Sequence, residues 1–227
     1  MARAKQTKGK CDFCGQEIAK ASVVKHLAAC ASWQAAIAKA EASKRKSEPL
    51  YHLRVQAKGQ PEFWLNLEMR GSAALKELDH YLREIWLECC GHMSQFSYGG
   101  WGGEEISNSC TIGKALEFND ELTHIYDFGT ESVSLVKMVG NRKGRPVTSH
   151  PITLLVRNIP PVYECKECQQ PAAWLCMECV YEDGAMGTLC ELHAENHPHE
   201  EYGELIPLVN SPRLGLCGYD GPAEPPY

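Results

Sequence analysis

Tyr51-His-Leu-Arg-Val55 and Glu62-Phe-Trp-Leu-Asn-Leu-Glu-Met69, joined through Lys58-Gly-Gln-Pro61, decide the fold. Tyr51, Leu53 and Val55 alternate with His52, Arg54 and Gln56; Phe63, Leu65, Leu67 and Met69 alternate with Glu62, Trp64, Asn66 and Glu68. A period of two places one set on each face of a strand, and Gly-Gln-Pro between the runs supplies the turn, so the stretch reads as a hairpin of half-buried strands. Downstream the period changes. Gly71-Ser72 offers an N-cap, and Leu75, Leu78, Leu82, Ile85, Trp86 and Cys89 keep helical spacing up to Gly91. Further strand signals fall at 124–128, 131–139 and 151–157, and an apolar run returns at 205–209. One main helix among several strands predicts an α+β body with a mixed sheet over 49–161, closed by a C-terminal return segment, 205–227.

The 227 residues are 44% hydrophobic and 23% charged, which excludes global disorder and allows one good core with small satellites. No apolar run reaches the roughly 18 residues of a membrane span, so no membrane partner is expected. The basic start, residues 1–10, meets Cys11-Asp12 rather than an apolar stretch, which argues against a signal peptide and for the cytoplasm. In that reducing compartment twelve cysteines, six of them in Cys-x-x-Cys pairs, point to metal rather than disulfides.

Charge is unevenly placed. Residues 1–48 hold ten Lys/Arg against four Asp/Glu, whereas residues 162–204 hold one Lys against ten Asp/Glu. The head can attract a polyanion and the later segment would be repelled by one.

The head, 1–48, contains Cys11-x2-Cys14-x11-His26-x3-Cys30. These are zinc-ligand types near the spacing of a two-Cys, two-His finger, with Cys in the fourth place. A helix from about Ser22 would set His26 and Cys30 on one face, and the Ala-rich run 28–42 would prolong it into a basic linker. In DNA-reading fingers the base-contacting positions would fall on Ala19, Ser22 and Lys25, of which Lys25 alone suits a strong contact. Any nucleic-acid contact by this head is therefore expected to be weak.

The acidic segment, 162–204, reads as an inserted zinc module. Cys165, Cys168, Cys176, Cys179, Cys190, His193, His197 and His199 lie within thirty-five residues. The seven residues between the Cys pairs are short for a four-Cys ribbon, so an interleaved pairing is expected. Cys165 and Cys168 would join Cys190 and His193; Cys176 and Cys179 would join His197 and His199. The module resembles a B-box. Three sets of four predict three Zn2+ ions.

Residues of the body resemble a family. Tyr51-His-Leu-Arg-Val55, Phe63-Trp64, Leu75-Lys-Glu-Leu-Asp79, Ile85-Trp-Leu-Glu-Cys-Cys-Gly-His-Met-Ser-Gln-Phe96, Ile125-Tyr-Asp-Phe-Gly129 and Asn210-Ser-Pro-Arg-Leu-Gly-Leu-Cys-Gly-Tyr219 are similar to the plasmid pRi open-reading-frame-three-like family, also met as a resolvase-labelled mobile-element passenger. The resemblance implies an α+β fold and no established activity. The chain departs from it at Leu65-Asn66, where many members carry two basic residues, and at Thr130-Glu131-Ser132.

No catalytic constellation is legible. Cys89-Cys90-Gly91-His92 is the best nucleophile candidate, but sequence neighbours seldom align thiol and imidazole, and buried cysteines at a helix end are the blander reading. A further metal site using Cys89, Cys90, Cys110 or Cys217 is an alternative that carries no spacing signature. Gly99-Gly-Trp-Gly-Gly103 lacks the Gly-Lys-Ser/Thr ending of a phosphate loop. The expectation is a zinc-binding, non-enzymatic interaction module that contacts nucleic acid through 1–48 and is associated with a mobile element. The alternatives are a protein adaptor acting through 162–204, and an enzyme using Cys89, Cys90 and His92.

Overall fold

A computed structural model describes residues 7–182, 186–199 and 203–227. The chain opens with a hairpin, β1 (Lys8–Cys11) and β2 (Glu17–Ala19), followed by helices α1 (Val23–Ala29) and α2 (Ala31–Glu41). The body supplies β3 (Glu48–Ala57), β4 (Trp64–Arg70), helix α3 (Leu75–Leu82), a π-helical turn (Arg83–Leu87), β5 (Ser94–Tyr98), β6 (Glu104–Ile106), the short helix α4 (Ile112–Ala115), β7 (Glu121–Tyr126), β8 (Ser132–Gly144) and β9 (Ile152–Asn158). Then come β10 (Trp174–Leu175), α5 (Met177–Glu182), β11 (Thr188–Leu189), α6 (Glu191–Ala194) and β12 (Ile206–Pro207).

The expected hairpin is β3–β4, registered from Leu50 opposite Arg70 to Gln56 opposite Trp64. It is central to a nine-stranded sheet of order β2-β1-β9-β4-β3-β8-β7-β5-β6, a member of the α+β class in which every registered pairing is antiparallel. Leu53, Val55, Leu65, Leu67 and Met69 join Leu75, Leu78, Leu82, Ile85 and Trp86 in the main core, so α3 covers one face as its periodicity predicts.

Besides the sheet being antiparallel throughout rather than mixed, four features differ from the sequence reading. Ser72 does not cap α3: its hydroxyl donates to Glu48 Oε2, and the helix starts at Leu75, whose amide donates to Cys110 O. The helix does not run evenly to Cys89; it widens into the π turn and leaves helical geometry at Glu88 (φ −70°, ψ 106°). Its end is held by Glu88, which takes the Arg83 guanidinium and the Gly91 amide.

The third difference is that the head is no appendage beyond a linker. β1 pairs with β9 (Gly9 with Asn158, Lys10 with Arg157, Cys11 with Val156), so the finger hairpin extends the body's sheet. Gly9 is required there, because a Cβ would stand 2.4 Å from the Trp64 ring and 2.6 Å from Arg157 O. Trp64, Leu155 and Val156 complete a second core with Ile18, Val23, Leu27 and Trp33. β4 is consequently buried on both faces, which is why Trp64, Asn66 and Glu68, read as outward, are all inside. Reciprocal arginines fasten α2 to the body: Arg145 Nη1 donates to Glu41 O and Ser43 O, and Arg45 Nη1 to Pro146 O and Val147 O.

Fourth, the segment near 205 returns first to the insertion rather than to the body. Ile206–Pro207 is β12, which pairs with β10 in a three-stranded sheet of order β11-β10-β12. The body is regained at Asn210, whose side chain bonds Asn158, and at Ser211 and Arg213, both buried.

Candidate metal centres

In the finger, Cys11 ends β1, and the Gly15 amide closes the turn onto Cys11 O at 2.8 Å, which presents Cys14. His26 lies on α1, whose Val23 and Leu27 face the second core; Cys30 stands between α1 and α2 in extended conformation (φ −71°, ψ 108°). The four ligand atoms lie within 4.8 Å of one another, with Cys14 Sγ 3.5 Å from His26 Nε2. Burial pushes the Cys11 thiol up to about 11, against the opposing pull of the Cys14 and Phe13 amides. The expected helix through both His26 and Cys30 is broken at Cys30, yet the pair still converges.

The insertion forms two further sets, in the interleaved combination. Cys165, Cys168, Cys190 and His193 converge: His193 Nδ1 lies 3.5 Å from Cys165 Sγ and 3.3 Å from Cys190 Sγ, and Cys168 Sγ 3.7 Å from Cys190 Sγ. Burial of Cys165 opposes its ionisation, but the amides of Cys190, Glu167 and Cys168 aim at the sulfur and hold its pKa at about 6. Cys176, Cys179, His197 and His199 form the other set, with Cys179 Sγ 3.3 Å from His197 Nε2 and 3.2 Å from His199 Nδ1. Glu178 Oε1 stands 3.8 Å from the far nitrogen of His199, on the side where a carboxylate orients a ligating imidazole.

These separations suit tetrahedral coordination. Zn–S near 2.3 Å and Zn–N near 2.0–2.1 Å place two ligand atoms of one ion roughly 3.5–3.8 Å apart, whereas disulfide sulfurs stand about 2.05 Å apart. All twelve cysteines are free.

A fourth set gave no spacing signal: Cys89, Cys90, His92 and Cys217, with ligand atoms within 4.8 Å of one another. Cys90 Sγ and His92 Nε2 are 2.9 Å apart, so thiol and imidazole align where sequence proximity argued against it. The reason is Gly91 at φ 76°, a left-handed turn that folds His92 back. Cys110 stays apart, its sulfur 3.5 Å from Thr111 O and its side chain packed on the main core. Beside this set lies Arg213, with no solvent exposure, donating to Asp127 Oδ2 (2.6 Å), Ser132 Oγ, Thr130 O and Cys89 Sγ (3.3 Å). Burial disfavours the Asp127 carboxylate, but Arg213 and the Thr130 and Gly129 amides outweigh it and hold its pKa at about 2. A lone Arg in Asn210-Ser-Pro-Arg213 carried no sign of this role.

In the basic run Arg142-Lys-Gly-Arg145 both arginines are committed, and Lys143 is exposed. Arg142 grips Glu68 with two bonds of 2.7 Å and stacks over Trp33, and Arg145 caps α2. Exposed Lys8, Lys10, Lys25, Lys39, Lys44 and Lys46 stay on the finger's surface.

No family model and no curated protein sequence matches the chain. A protein of unknown function from Methanosarcina mazei Go1 resembles it in structure at 17% identity and TM-score 0.40, over 48% of this chain and 69% of that one. A likeness of that degree carries no argument about function.

Proposed function

We propose that the protein is a zinc-stapled, non-enzymatic interaction protein whose finger contacts nucleic acid weakly, through phosphate rather than base edges. Zinc is the ion of choice for closed sets of thiolate and imidazole, and the three sets at Cys11, Cys165 and Cys176 take one ion each. The observation that carries the nucleic-acid reading is the separation of charge. Six of the finger's lysines are exposed (Lys8, Lys10, Lys25, Lys39, Lys44 and Lys46), while Arg142 and Arg145 are engaged with Glu68 and with α2, which leaves Lys143 as the exposed cation of that run. Ala19 and Ser22 offer no bidentate base contact, so sequence preference is slight. The family resemblance of the body supports a mobile-element association, and the reducing chemistry of the thiolates supports the cytoplasm.

Deleting 1–48 is a poor test, since it would strip β1 from β9. The clean variant reverses Lys25, Lys44 and Lys46 to Glu, all exposed. Titration of labelled duplex DNA, single-stranded DNA and RNA at two salt concentrations should give a log–log slope of roughly −3 to −4, as about 3–5 neutralised phosphates require. The triple variant should lose most of the binding. Undiminished binding by it refutes the assignment.

A groove in the acidic module favours a second reading, a protein adaptor. It measures about 730 Å³ and is lined by Trp174, Leu205, Glu191, Glu195 and Glu204 beside the ligands His197 and His199, and its acidic lining suits a basic peptide.

A further inference from the structure

Cys89 and Cys90 follow the π turn at the end of the main helix, and His92 folds back beside them. Cys217 comes from the far end of the sequence, on the 3-10 turn Leu216–Gly218. Cys90 Sγ lies 3.6 Å from Cys89 Sγ and 3.6 Å from Cys217 Sγ; His92 Nε2 lies 3.4 Å from Cys217 Sγ. We propose that Cys89, Cys90, His92 and Cys217 form a fourth metal site, taking zinc as a soft divalent cation, and that the ion fastens the C-terminal segment to the end of the main helix.

Three observations carry this. The Cys89–Cys90, Cys90–Cys217 and His92–Cys217 separations match those of the other sets, where Cys168–Cys190 is 3.7 Å and Cys14–His26 is 3.5 Å, while Cys90–His92 at 2.9 Å is closer and would open on coordination. They are too long for a disulfide, and three sulfurs around one imidazole is a donor set that zinc takes as Cys3His. The pair Cys90–His92 is also not open as a nucleophile and base, because Cys217 Sγ contacts the same imidazole nitrogen and Cys89 Sγ lies 3.6 Å from the thiol sulfur. Finally, the site has an outer shell. Arg213 donates to Cys89 Sγ, and Asp127 Oδ2 holds the guanidinium in place. An N–H donor aimed at one sulfur stabilises its thiolate form, as hydrogen bonds around metal ligands do.

The site differs from the other three in access. Each of those includes at least two buried ligands, whereas here Cys89 and His92 are half-buried and Cys90 and Cys217 exposed. Its ion is therefore the first to yield to a chelator, and with it goes the cross-link between residues 89–92 and 217.

The test is metal analysis of the intact chain, purified under reducing conditions with zinc supplied and excess removed. Four equivalents are expected in the parent, three in Cys217→Ser and three in Cys90→Ser, with Cys110→Ser remaining at four. In a timed chelation with pyridylazoresorcinol, one equivalent should leave ahead of the rest, and Cys217→Ser should abolish that early phase. Using two exposed positions guards against one variant failing to fold. Three equivalents in the parent, unchanged in both variants, would remove this site and leave the other three standing. So would four equivalents retained by both variants, a Cys90–Cys217 disulfide in the parent, or rapid alkylation of Cys90 in the fully loaded chain. Fewer than three in the parent would instead count against the zinc reading as a whole.

Discussion

The finger and the inserted module use the same ligand chemistry but sit in the molecule in opposite ways. The finger lends its hairpin to the nine-stranded sheet and shares a core with Trp64, Leu155 and Val156, so apolar contacts hold it as well as its Cys/His set. The module has a sheet of its own with strands of two residues, and its buried cluster is Cys165, Cys176, Cys179 and Cys190 around Leu189. Four of those five residues are ligands. In the module the Cys/His sets stand where a core would be; in the finger they lie beside one.

The largest effect follows from that contrast. Structural zinc contributes on the order of 10–16 kcal/mol in small fingers near neutral pH, more than a cluster built around one leucine can replace. Cys179→Ser should therefore erase hydrogen-exchange protection over β10, β11 and β12 while β3, β4 and β8 keep theirs. Protection persisting at Leu175 and Leu189 would show that the module has a core independent of metal.

A smaller effect, in a different place, is expected of the finger. Trp33 is 6% exposed, packs on Phe13 at 4.6 Å between ring centres, and lies under Arg142. Truncating such an aromatic costs about 3–5 kcal/mol. Trp33→Ala should lower the main urea transition of the whole chain, because the finger's core is also the body's. A main transition left unchanged would mean that the finger folds by itself and that the contrast with the module is false.

Smaller still is the pH dependence at the join between the finger and the body. Glu48, 8% exposed, accepts from Arg70 Nε at 2.8 Å and from the Ser72 amide and hydroxyl. Burial opposes its ionisation, but these donors outweigh it and hold the carboxyl below its ordinary 4.5. A depressed carboxyl contributes stability above its unfolded pKa and loses it as pH falls through the folded value. Glu48→Gln should cost roughly 1–3 kcal/mol at pH 7, and the difference from the parent should vanish in acid. An equal difference at both pH values would assign the effect to packing.

How much of this was legible depends on how far apart the partners lie. The β3–β4 hairpin and the face of α3 follow from alternation over a few residues, and the interleaved ligand sets from the short gap between two Cys pairs. Lys8-Gly-Lys-Cys11 alternates exposed with buried, but four residues whose inward members are Gly and a ligand Cys are too short and too little apolar to announce a strand that pairs with Val156–Asn158, nearly 150 residues away. Ile206–Pro207 looked like a body strand because apolar residues there suit either sheet; its partner, Trp174, is fixed by the geometry of the module. Cys217 is 127 residues from Cys90, and only the folded chain brings the two together. Long-range pairing, not residue type, was the missing information.

The central claim, that each of the three Cys/His sets of the finger and the module holds one zinc ion, is tested most directly by native mass spectrometry of the intact chain beside Cys14→Ser, Cys168→Ser and Cys179→Ser. The account predicts a parent holding at least three zinc ions, with each variant lighter by one. A parent without zinc, or a variant losing none, would contradict it.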